Sequence, residues 1–290
     1  FMKLYHECIF NELGGGVRQT IGPEDLLSLP LTYPPKSEQH SIARFLDHET
    51  TKIDGLIAEQ EKLIELLQEK RQAAISHAVT KGLNPDALMK DSRVEWLGEV
   101  PEHWELKKIK HMFYINDGNH GEEYPKADDF CDAELGVPFI RGSDFIDKTI
   151  STKNVLYITK EKNSSMRKGG LEAGDVLFVN RGDIGKTAIV PIELEGSNLN
   201  SQIAYLRSKK YPPELLEGYL SSIPIQQFIA SKKEGSVLTQ MPIKDIENIN
   251  IPVPSKDEHD QILSHINEVS TTLTTAISNS LDLVSLLAFR

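Results

Sequence analysis

A heptad-like pattern between residues 38 and 80 constrains the fold of this chain more than any other feature. Apolar or small side chains recur there at alternating steps of three and four: Ile42, Leu46, Ile53, Leu56, Leu63, Leu67 and Ala74. This 3.5-residue period predicts one long helix with a narrow apolar seam. At about 1.5 Å per residue, the helix would be roughly 60 Å long, which exceeds one compact domain. We therefore expect it to pack against a partner helix.

The ends of this helix are marked by residues that break or cap helices. Pro34 and Pro35 prevent an earlier start, and Ser37 is a candidate N-cap. Gly82, followed by Pro85, predicts the end of the helix.

The stretch from 257 to 288 supplies the partner, with a similar seam at Ile262, Ile266, Val269, Leu273, Ala276 and Leu287. It also follows a pair of prolines, which prompts a search for a repeat. At a constant offset of 220 residues the identical pairs include Gly15/Gly235, Val17/Val237, Asp25/Asp245, Pro34/Pro254, Lys36/Lys256, Glu38/Glu258 and Ile42/Ile262. The ungapped match predicts a repeated unit of turn, short strand, Pro-rich elbow and long helix. Both copies are incomplete, so we expect a shortened protein or part of a longer one.

Between the two helices the sequence changes to short apolar runs such as "VPFI", "DVLFVN" and "QIAYLRS", separated by Gly, Asn, Asp and Pro. Such runs predict the strands of a mostly-β domain, with helix around "PPELLEGYLSSIPIQQFIA". The expected fold class is α+β, with this domain flanked by two long helices.

The run "GDVLFVNRGDIGKTAIV" contains Gly185, Lys186 and Thr187, which resemble the tail of a phosphate-binding loop. That motif requires a glycine five positions before Gly185, where this chain has Asn180, and a helix after Thr187, where "AIVPI" predicts a strand. The alternative is a β-hairpin whose glycines adopt positive φ and whose tip exposes Arg181 and Lys186.

Basic and amide side chains surround this hairpin in the sequence. Lys and Arg suit phosphate, while Asn, Gln, Ser and Thr can hydrogen-bond base edges. A solvated surface with ordinary turn residues would give the same pattern. The candidate DNA contacts are Arg141, Ser143, Lys153, Arg181, Lys186, Asn198, Asn200, Gln202, Lys232, Lys233, Ser236, Thr239 and Gln240.

Other functions find little support. The net charge of −11 opposes nucleic-acid binding on average, although local charge can overrule an average. The two cysteines, Cys8 and Cys131, and the nine histidines lack metal-ligand spacing, so no metal site is predicted. We find no catalytic grouping, and no apolar run long enough to span a membrane. A cytoplasmic protein without catalytic residues is expected.

Four segments together resemble the specificity subunit, HsdS, of type I restriction-modification enzymes. They are "DLLSLPLTYPPKSEQHSIARFLDHETTKIDGLI", "LIELLQEKRQAAISHAVTKGLNP", "SRVEWLGEVPEHWELKKIK" and "GSVLTQMPIKDIENINIPVPSKDEHDQI", with "GDVLFVNRGDIGK" between the last two. The resemblance runs from about Gly14 to the C-terminus.

The resemblance implies that the two helices pack as an antiparallel coiled coil. It divides the chain into a remnant of a first target-recognition domain (1–36), a first conserved helix (37–82), a target-recognition domain (83–255) and a second conserved helix (256–290). Nearly all of the first recognition domain of the family is missing.

The resemblance also implies that the chain reads one half of a bipartite site in double-stranded DNA. Methyltransferase subunits and a motor-nuclease subunit would be partners, carrying S-adenosylmethionine and ATP, so this chain itself needs no cofactor. The unpaired seams allow a homodimer. The alternative is a coiled-coil scaffold that binds proteins and no DNA.

Overall fold

The computed structural model describes residues 33–146, 148–208, 210–234 and 240–288, apart from the side chains of residues 233 and 234. The chain divides into two compact units, residues 1–57 and 58–290. The described part of the first unit is the opening of a long helix. The second unit holds the rest of that helix, a β-rich domain and a second long helix.

The described residues form six α-helices, five 3-10 helices of three residues each, and fourteen strands. The helices are α1 (Lys36–Lys81), α2 (Lys160–Ser165), α3 (Pro213–Leu220), α4 (Ile223–Glu234), α5 (Ile243–Glu247) and α6 (Lys256–Ala288). The strands are β1 (Met89–Asp91), β2 (Glu99–Pro101), β3 (Glu105–Lys108), β4 (Tyr114–Asp117), β5 (Phe130–Cys131), β6 (Gly136–Ile140), β7 (Phe145–Ile146), β8 (Thr149–Ile150), β9 (Leu156–Thr159), β10 (Val176–Val179), β11 (Thr187–Ile189), β12 (Asn198–Leu199), β13 (Ile203–Arg207) and β14 (Asn250–Val253). The predicted α+β fold class is confirmed.

Helix α1 begins one residue earlier than predicted. Its first backbone bonds run from the amides of Glu38 and Gln39 to the Pro35 carbonyl, so Ser37 lies inside the helix and is not its N-cap. Proline can precede a helix at this place because it has no amide hydrogen to satisfy. The end of α1 is as predicted: Gly82 has φ +77° and its amide donates to the Ala78 carbonyl.

An antiparallel four-stranded sheet, in the order β11-β10-β13-β4, divides the domain core in two. Val176, Phe178, Ala204 and Leu206 face one apolar cluster, which also contains side chains from α3 and from both long helices. The alternate residues Leu177, Val179, Ile203 and Tyr205 face a second cluster, which lies toward the other sheet. Strands buried on both faces explain the continuous apolar runs "VLFV" and "IAYL".

The second four-stranded sheet has the order β12-β6-β9-β5, and its β12–β6 pair is parallel. Three two-stranded pairs complete the strand pairing: β1 with β2, β3 with β14, and β7 with β8. The β3–β14 pair ties the segment after α1 to the segment before α6, so both long helices join the domain at one place.

The end of α1 and the start of α6 meet on α3. A Cβ added to Gly218 in α3 would lie 3.2 Å from Val79, 3.4 Å from Ile75 and 3.9 Å from Ile266. Farther from α3, Arg71 of α1 donates to Thr274 of α6 over 3.1 Å. Because residue numbers fall along one helix as they rise along the other, the two helices run antiparallel within this unit.

The predicted seam is correct for α6 and partly wrong for α1. In α6, Ile262 and Ile266 are buried and the other predicted positions are half-buried. In α1, Leu67 and Ala74 are half-buried, but Leu63 is exposed and Ile64 takes its place in the half-buried row. The last turns of α1 pack against α3, and that contact sets the rotation of the helix. In the first unit, the predicted seam positions Ile42, Leu46 and Leu56 are exposed.

None of the helices in the described ranges is long and apolar enough to cross a membrane.

Candidate nucleic-acid interface

The segment that resembles a phosphate loop is a β-hairpin, as predicted. Strand β10 pairs with β11 in antiparallel register, with Phe178 opposite Thr187. Gly182 and Gly185 have φ of +81° and +101°, which side-chain-bearing residues rarely adopt. A strand follows Lys186 where a nucleotide-binding loop needs a helix, so the phosphate-loop interpretation is excluded.

Three predicted DNA contacts lie side by side at one end of the central sheet. Lys186 precedes β11, Arg181 follows β10 and Gln202 precedes β13, and these three strands are neighbours. All three side chains are exposed. Lys186 forms an ion pair of 2.8 Å with Asp183, an exposed carboxylate. We call Lys186, Arg181 and Gln202 the basic edge.

Backbone hydrogen bonds hold the centre of this edge together. The amides of Asn180 and Arg181 both donate to the Gln202 carbonyl, over 2.9 and 3.3 Å. The amide of Met241 donates to the Asn180 carbonyl over 2.8 Å, and Arg181 forms an isolated antiparallel bridge with Gln240. Segments distant in sequence therefore present their side chains from a fixed framework.

The amide side chains around the basic edge differ in burial. Asn198 is buried; its Oδ1 accepts from the Leu199 amide and its Nδ2 donates to Asn163. Asn200 is buried and braces Gln202 through two hydrogen bonds. Gln202 is exposed, so of these three predicted contacts it is the one that a ligand can reach without rearrangement.

The predicted contacts on the second sheet are less closely grouped. The Arg141 guanidinium donates to the buried Asp144 carboxylate over 2.9 Å and to the Asn154 carbonyl over 2.8 Å. It is thus engaged in holding the turn after β6. Ser143 and Lys153 are exposed on the following turns.

The remaining predicted contacts follow or lie near α4. Lys232 is exposed, with its ammonium 5.6 Å from the centre of the Phe228 ring. Gln240 is half-buried and its Oε1 accepts from Arg181 over 2.6 Å. Ser236, Thr239 and the side chain of Lys233 lie outside the described residues.

Sequence reasoning missed a polar cluster beside the basic edge. At the end of β4, the Asp117 carboxylate lies 2.8 Å from His120 and 3.2 Å from Lys168. The neighbouring Gly118 packs against the backbone of Leu199, just before Asn200. The tip "DGNHGEE" carries Asp117 and His120 close together in the sequence, but nothing local connects it to Lys168, which is 51 residues from Asp117.

Arg207, at the opposite end of β13, belongs to the interior of the domain. Its guanidinium donates to the buried Asp175 over 2.6 and 2.7 Å and lies 5.1 Å from the centre of the Tyr205 ring. Hydrogen bonds from Arg207 to Asp175 raise the pKa of the guanidinium. Burial raises the pKa of Tyr205 to about 12. The Arg207 side chain is therefore engaged within the domain, whereas Gln202, which precedes the first residue of β13, is exposed.

Within the ranges that the structure describes, no cluster of three His, Cys, Asp or Glu side chains could hold a metal ion. The arrangement at the basic edge is one of hydrogen-bond donors and cations, a chemistry that suits binding of an anionic or acceptor-rich ligand.

Comparison with known proteins identifies the family. A sequence model of the family described as "type I restriction modification DNA specificity domain" matches residues 101–283, more than half of the chain. The type I restriction enzyme EcoBI specificity subunit of Escherichia coli is 28% identical over 252 residues, covering 83% of this chain and 51% of that protein. The MjaVIII specificity subunit of Methanocaldococcus jannaschii is 26% identical over 253 residues, covering 85% and 56%.

The chain thus spans about half the length of these curated relatives.

Solved structures share its fold. A chain from work on complex assembly and conformational transition of the type I R-M system matches with a TM-score of 0.66 at 16% identity, covering 98% of this chain and 65% of that one. The HsdS subunit from Thermoanaerobacter tengcongensis matches with a TM-score of 0.51 at 16% identity, covering 98% and 64%. The chain therefore belongs to the HsdS family, the non-catalytic specificity subunits of type I restriction-modification systems.

Proposed function

We propose that residues 83–255 form a target-recognition domain that reads one half of a bipartite site in double-stranded DNA. The observation that carries this proposal is the basic edge. Lys186, Arg181 and Gln202 are exposed on adjacent strand ends and rest on a hydrogen-bonded backbone. Donors held in a row on a fixed backbone can match the spacing of groups in a groove of the duplex. Donors on a mobile surface would bind the same groups less specifically.

The contacts divide by chemistry. Lys186 and Lys232 are compact charges suited to phosphate, whereas Arg181, Gln202 and Gln240 carry planar groups suited to base edges. Asn200 supports Gln202 from behind. The acidic total of the chain does not oppose this assignment, because phosphate contact depends on local charge.

The long helices would form the docking surface for methyltransferase subunits, with a motor-nuclease subunit joining the assembly. Large apolar side chains on them are exposed: Phe45, Leu46 and Leu66 on α1, and Leu281, Leu283 and Leu286 on α6. Burying a large apolar side chain yields about 1.5–3 kcal/mol, so a few of them support a stable contact. A second copy of this chain is another occupant of the same faces. S-adenosylmethionine and ATP would belong to the partner subunits.

DNA binding tests the proposal directly. Full-length chain would be titrated with randomised duplex DNA at several salt concentrations, comparing the wild type with Arg181→Ala plus Lys186→Ala. We expect weaker binding, a relaxed sequence preference and a salt slope reduced by about one for each lost phosphate contact. The matched control is Arg44→Ala plus Lys62→Ala, which also removes one Arg and one Lys, but from α1.

Two outcomes would contradict the proposal. An unchanged affinity, salt slope and sequence preference in the double variant would remove the basic edge from the interface. The absence of salt-dependent binding to any duplex would instead favour a coiled-coil scaffold that does not bind DNA.

A further inference from the structure

The orientation of the Gln240 amide follows from its partner. Arg181 Nη2 lies 2.6 Å from Gln240 Oε1, and a guanidinium only donates hydrogen bonds. The oxygen of Gln240 must therefore face Arg181, because the reverse orientation would oppose two donors. Its NH2 group is left for another partner, and no acceptor for it occurs among the described residues.

The orientation of the Gln202 side-chain amide follows from two hydrogen bonds with Asn200. The backbone amide of Gln202 only donates, and it points to Asn200 Oδ1 over 3.1 Å. The Nδ2 of Asn200 must then donate, and it does so to Gln202 Oε1 over 3.2 Å. The oxygen of Gln202 thereby faces Asn200 and accepts one hydrogen bond from it, and the NH2 group of this exposed side chain is left to the ligand.

Each glutamine oxygen already accepts one hydrogen bond, so Arg181, Gln202 and Gln240 direct mainly donor groups at a ligand, and we call them the donor platform. The backbone bonds from Asn180, Arg181 and Met241 hold their three segments together. A ligand that complements the platform must present acceptors. In the major groove, guanine offers the adjacent acceptors N7 and O6, whereas cytosine and adenine offer amino donors.

We propose that the donor platform reads the N7 and O6 edge of a guanine in the DNA half-site, with Gln240 positioning Arg181 for that contact. This inference rests on the proposed function. Phosphate oxygens are also acceptors, but two of the three platform side chains are neutral amides. A neutral amide forms a weaker hydrogen bond with a phosphate than Lys or Arg does, so the base edge is the better match for the platform.

Selection from a random duplex library by the full-length chain, followed by base-analogue substitution, tests the assignment. We expect selected duplexes to share a guanine whose replacement by 7-deazaguanine, which lacks the N7 acceptor, weakens binding about fivefold or more. Salt dependence should remain the same, since no phosphate contact changes. If 7-deazaguanine had no effect at any selected position, the platform would contact phosphate and the inference would be wrong.

Reversing the polarity of one platform residue gives a sharper test. In Gln202→Glu, one carboxylate oxygen still accepts from Asn200 and the other faces the ligand as an acceptor. The preferred base should change from guanine to one with an amino donor, cytosine or adenine. Gln240→Ala should reduce discrimination at the guanine, and Gln240→Glu, which keeps an acceptor for Arg181, should restore part of it.

Gln261→Glu on the exposed face of α6 adds the same charge and is the control. A uniform loss of affinity for all duplexes in Gln202→Glu, without a change of preferred base, would overturn the inference while leaving DNA binding intact. Failure of the wild type to select any duplex would instead count against the proposed function itself.

Discussion

At the scale of single residues, burial separates side chains that the sequence could not separate. "SNLNSQ" supplies three amides of the same chemistry, and all three were predicted to read bases. In the fold, Asn198 is buried, Asn200 braces its neighbour and Gln202 faces solvent. Residue type predicts which chemistry is present, whereas the strand register that decides exposure depends on contacts distant in sequence.

Replacing Asn198 by Ala should therefore affect stability more than recognition. The substitution removes the hydrogen bond to Asn163 and leaves the Leu199 amide without its side-chain acceptor. We expect a loss of about 1–3 kcal/mol in the free energy of unfolding, measured in urea, with an unchanged base preference. Lys186→Ala should leave the free energy of unfolding unchanged and weaken binding to all duplexes about equally, because a phosphate contact carries no base information. A change of preferred base in Asn198→Ala would place Asn198 in the interface.

Gly118 should be intolerant of even a methyl group. A Cβ at this position would lie 2.4 Å from the Leu199 carbonyl oxygen, and backbone cannot yield as a flexible side chain can. We expect Gly118→Ala to lower the free energy of unfolding by roughly 1–3 kcal/mol, the usual effect of overpacking. Gly170→Ala is the matched control, because nothing lies within 4 Å of its Cβ. Equal stability of the two variants would contradict this account.

At the scale of elements, Trp104 joins the end of one long helix to the start of the other. Its ring lies 3.2 Å from the Cβ position of Gly82, which ends α1. Its indole nitrogen donates to Glu258 over 3.1 Å, and Glu258 also accepts from Ser255 in a capping box at the start of α6. The sequence indicated Gly82 as a helix end, but not the contact between Trp104 and Glu258, which are 154 residues apart.

The Glu258 carboxylate should contribute measurably to stability. Burial raises its pKa, but hydrogen bonds from Trp104, His103 and Ser255 outweigh burial and leave the pKa lowered. A lowered carboxyl pKa means that its contribution is present above the unfolded pKa and is lost as pH falls through the folded pKa. We expect Glu258→Gln to cost about 1–3 kcal/mol at pH 7, measured by urea unfolding, and less at acid pH.

Trp104→Phe keeps an aromatic ring and removes the indole donor. The double variant with Glu258→Gln should therefore lose less free energy of unfolding than the sum of the losses in the two single variants. Glu268→Gln, at an exposed position of α6, controls for loss of a charge. Strict additivity would show that the indole and the carboxylate do not interact.

His259, the next residue in α6, should make the domain sensitive to mild acid. Burial lowers its pKa; the ring packs edge-on against Tyr211 with centres 5.2 Å apart, and its buried Nε2 has no partner among described residues. Below about pH 6.5 the unfolded chain binds a proton that the folded chain resists, so stability falls as pH falls. In His259→Phe, the melting temperature should depend less on pH between pH 7.5 and 5.5 than it does in the wild type. An unchanged pH dependence would exclude His259 as its source.

At the scale of the whole molecule, the sequence predicts what repeats or is periodic, and it leaves pairings between distant segments open. The proline pairs and the seams identified both long helices, since periodicity and helix breakers are local properties. The rotation of α1, which exposes Leu63 and half-buries Ile64, depends on packing against α3 and was missed. Likewise the basic edge requires β13 to pair with β10 of the predicted hairpin, and no local pattern specifies that pairing.

The length of α1 should set the gap between two half-sites if two recognition domains act together. Duplicating residues 61–64 adds four helical residues, about 6 Å, which is close to two base pairs of DNA. It also rotates the following helix by about 40°, a stutter that coiled coils accommodate by local unwinding. One inserted residue rotates it by about 100° and moves the seam off its partner, so that variant should lose function.

Methylome sequencing of cells carrying the four-residue duplication with its methyltransferase partner should then reveal the same two half-sites separated by one or two additional base pairs, whereas the single-residue insertion should leave no methylated motif. The half-sites should persist because the donor platform lies in residues 83–255 and is untouched by the duplication. A changed half-site with the original gap would mean that α1 takes part in reading bases, and an unchanged motif would mean that another element sets the spacing.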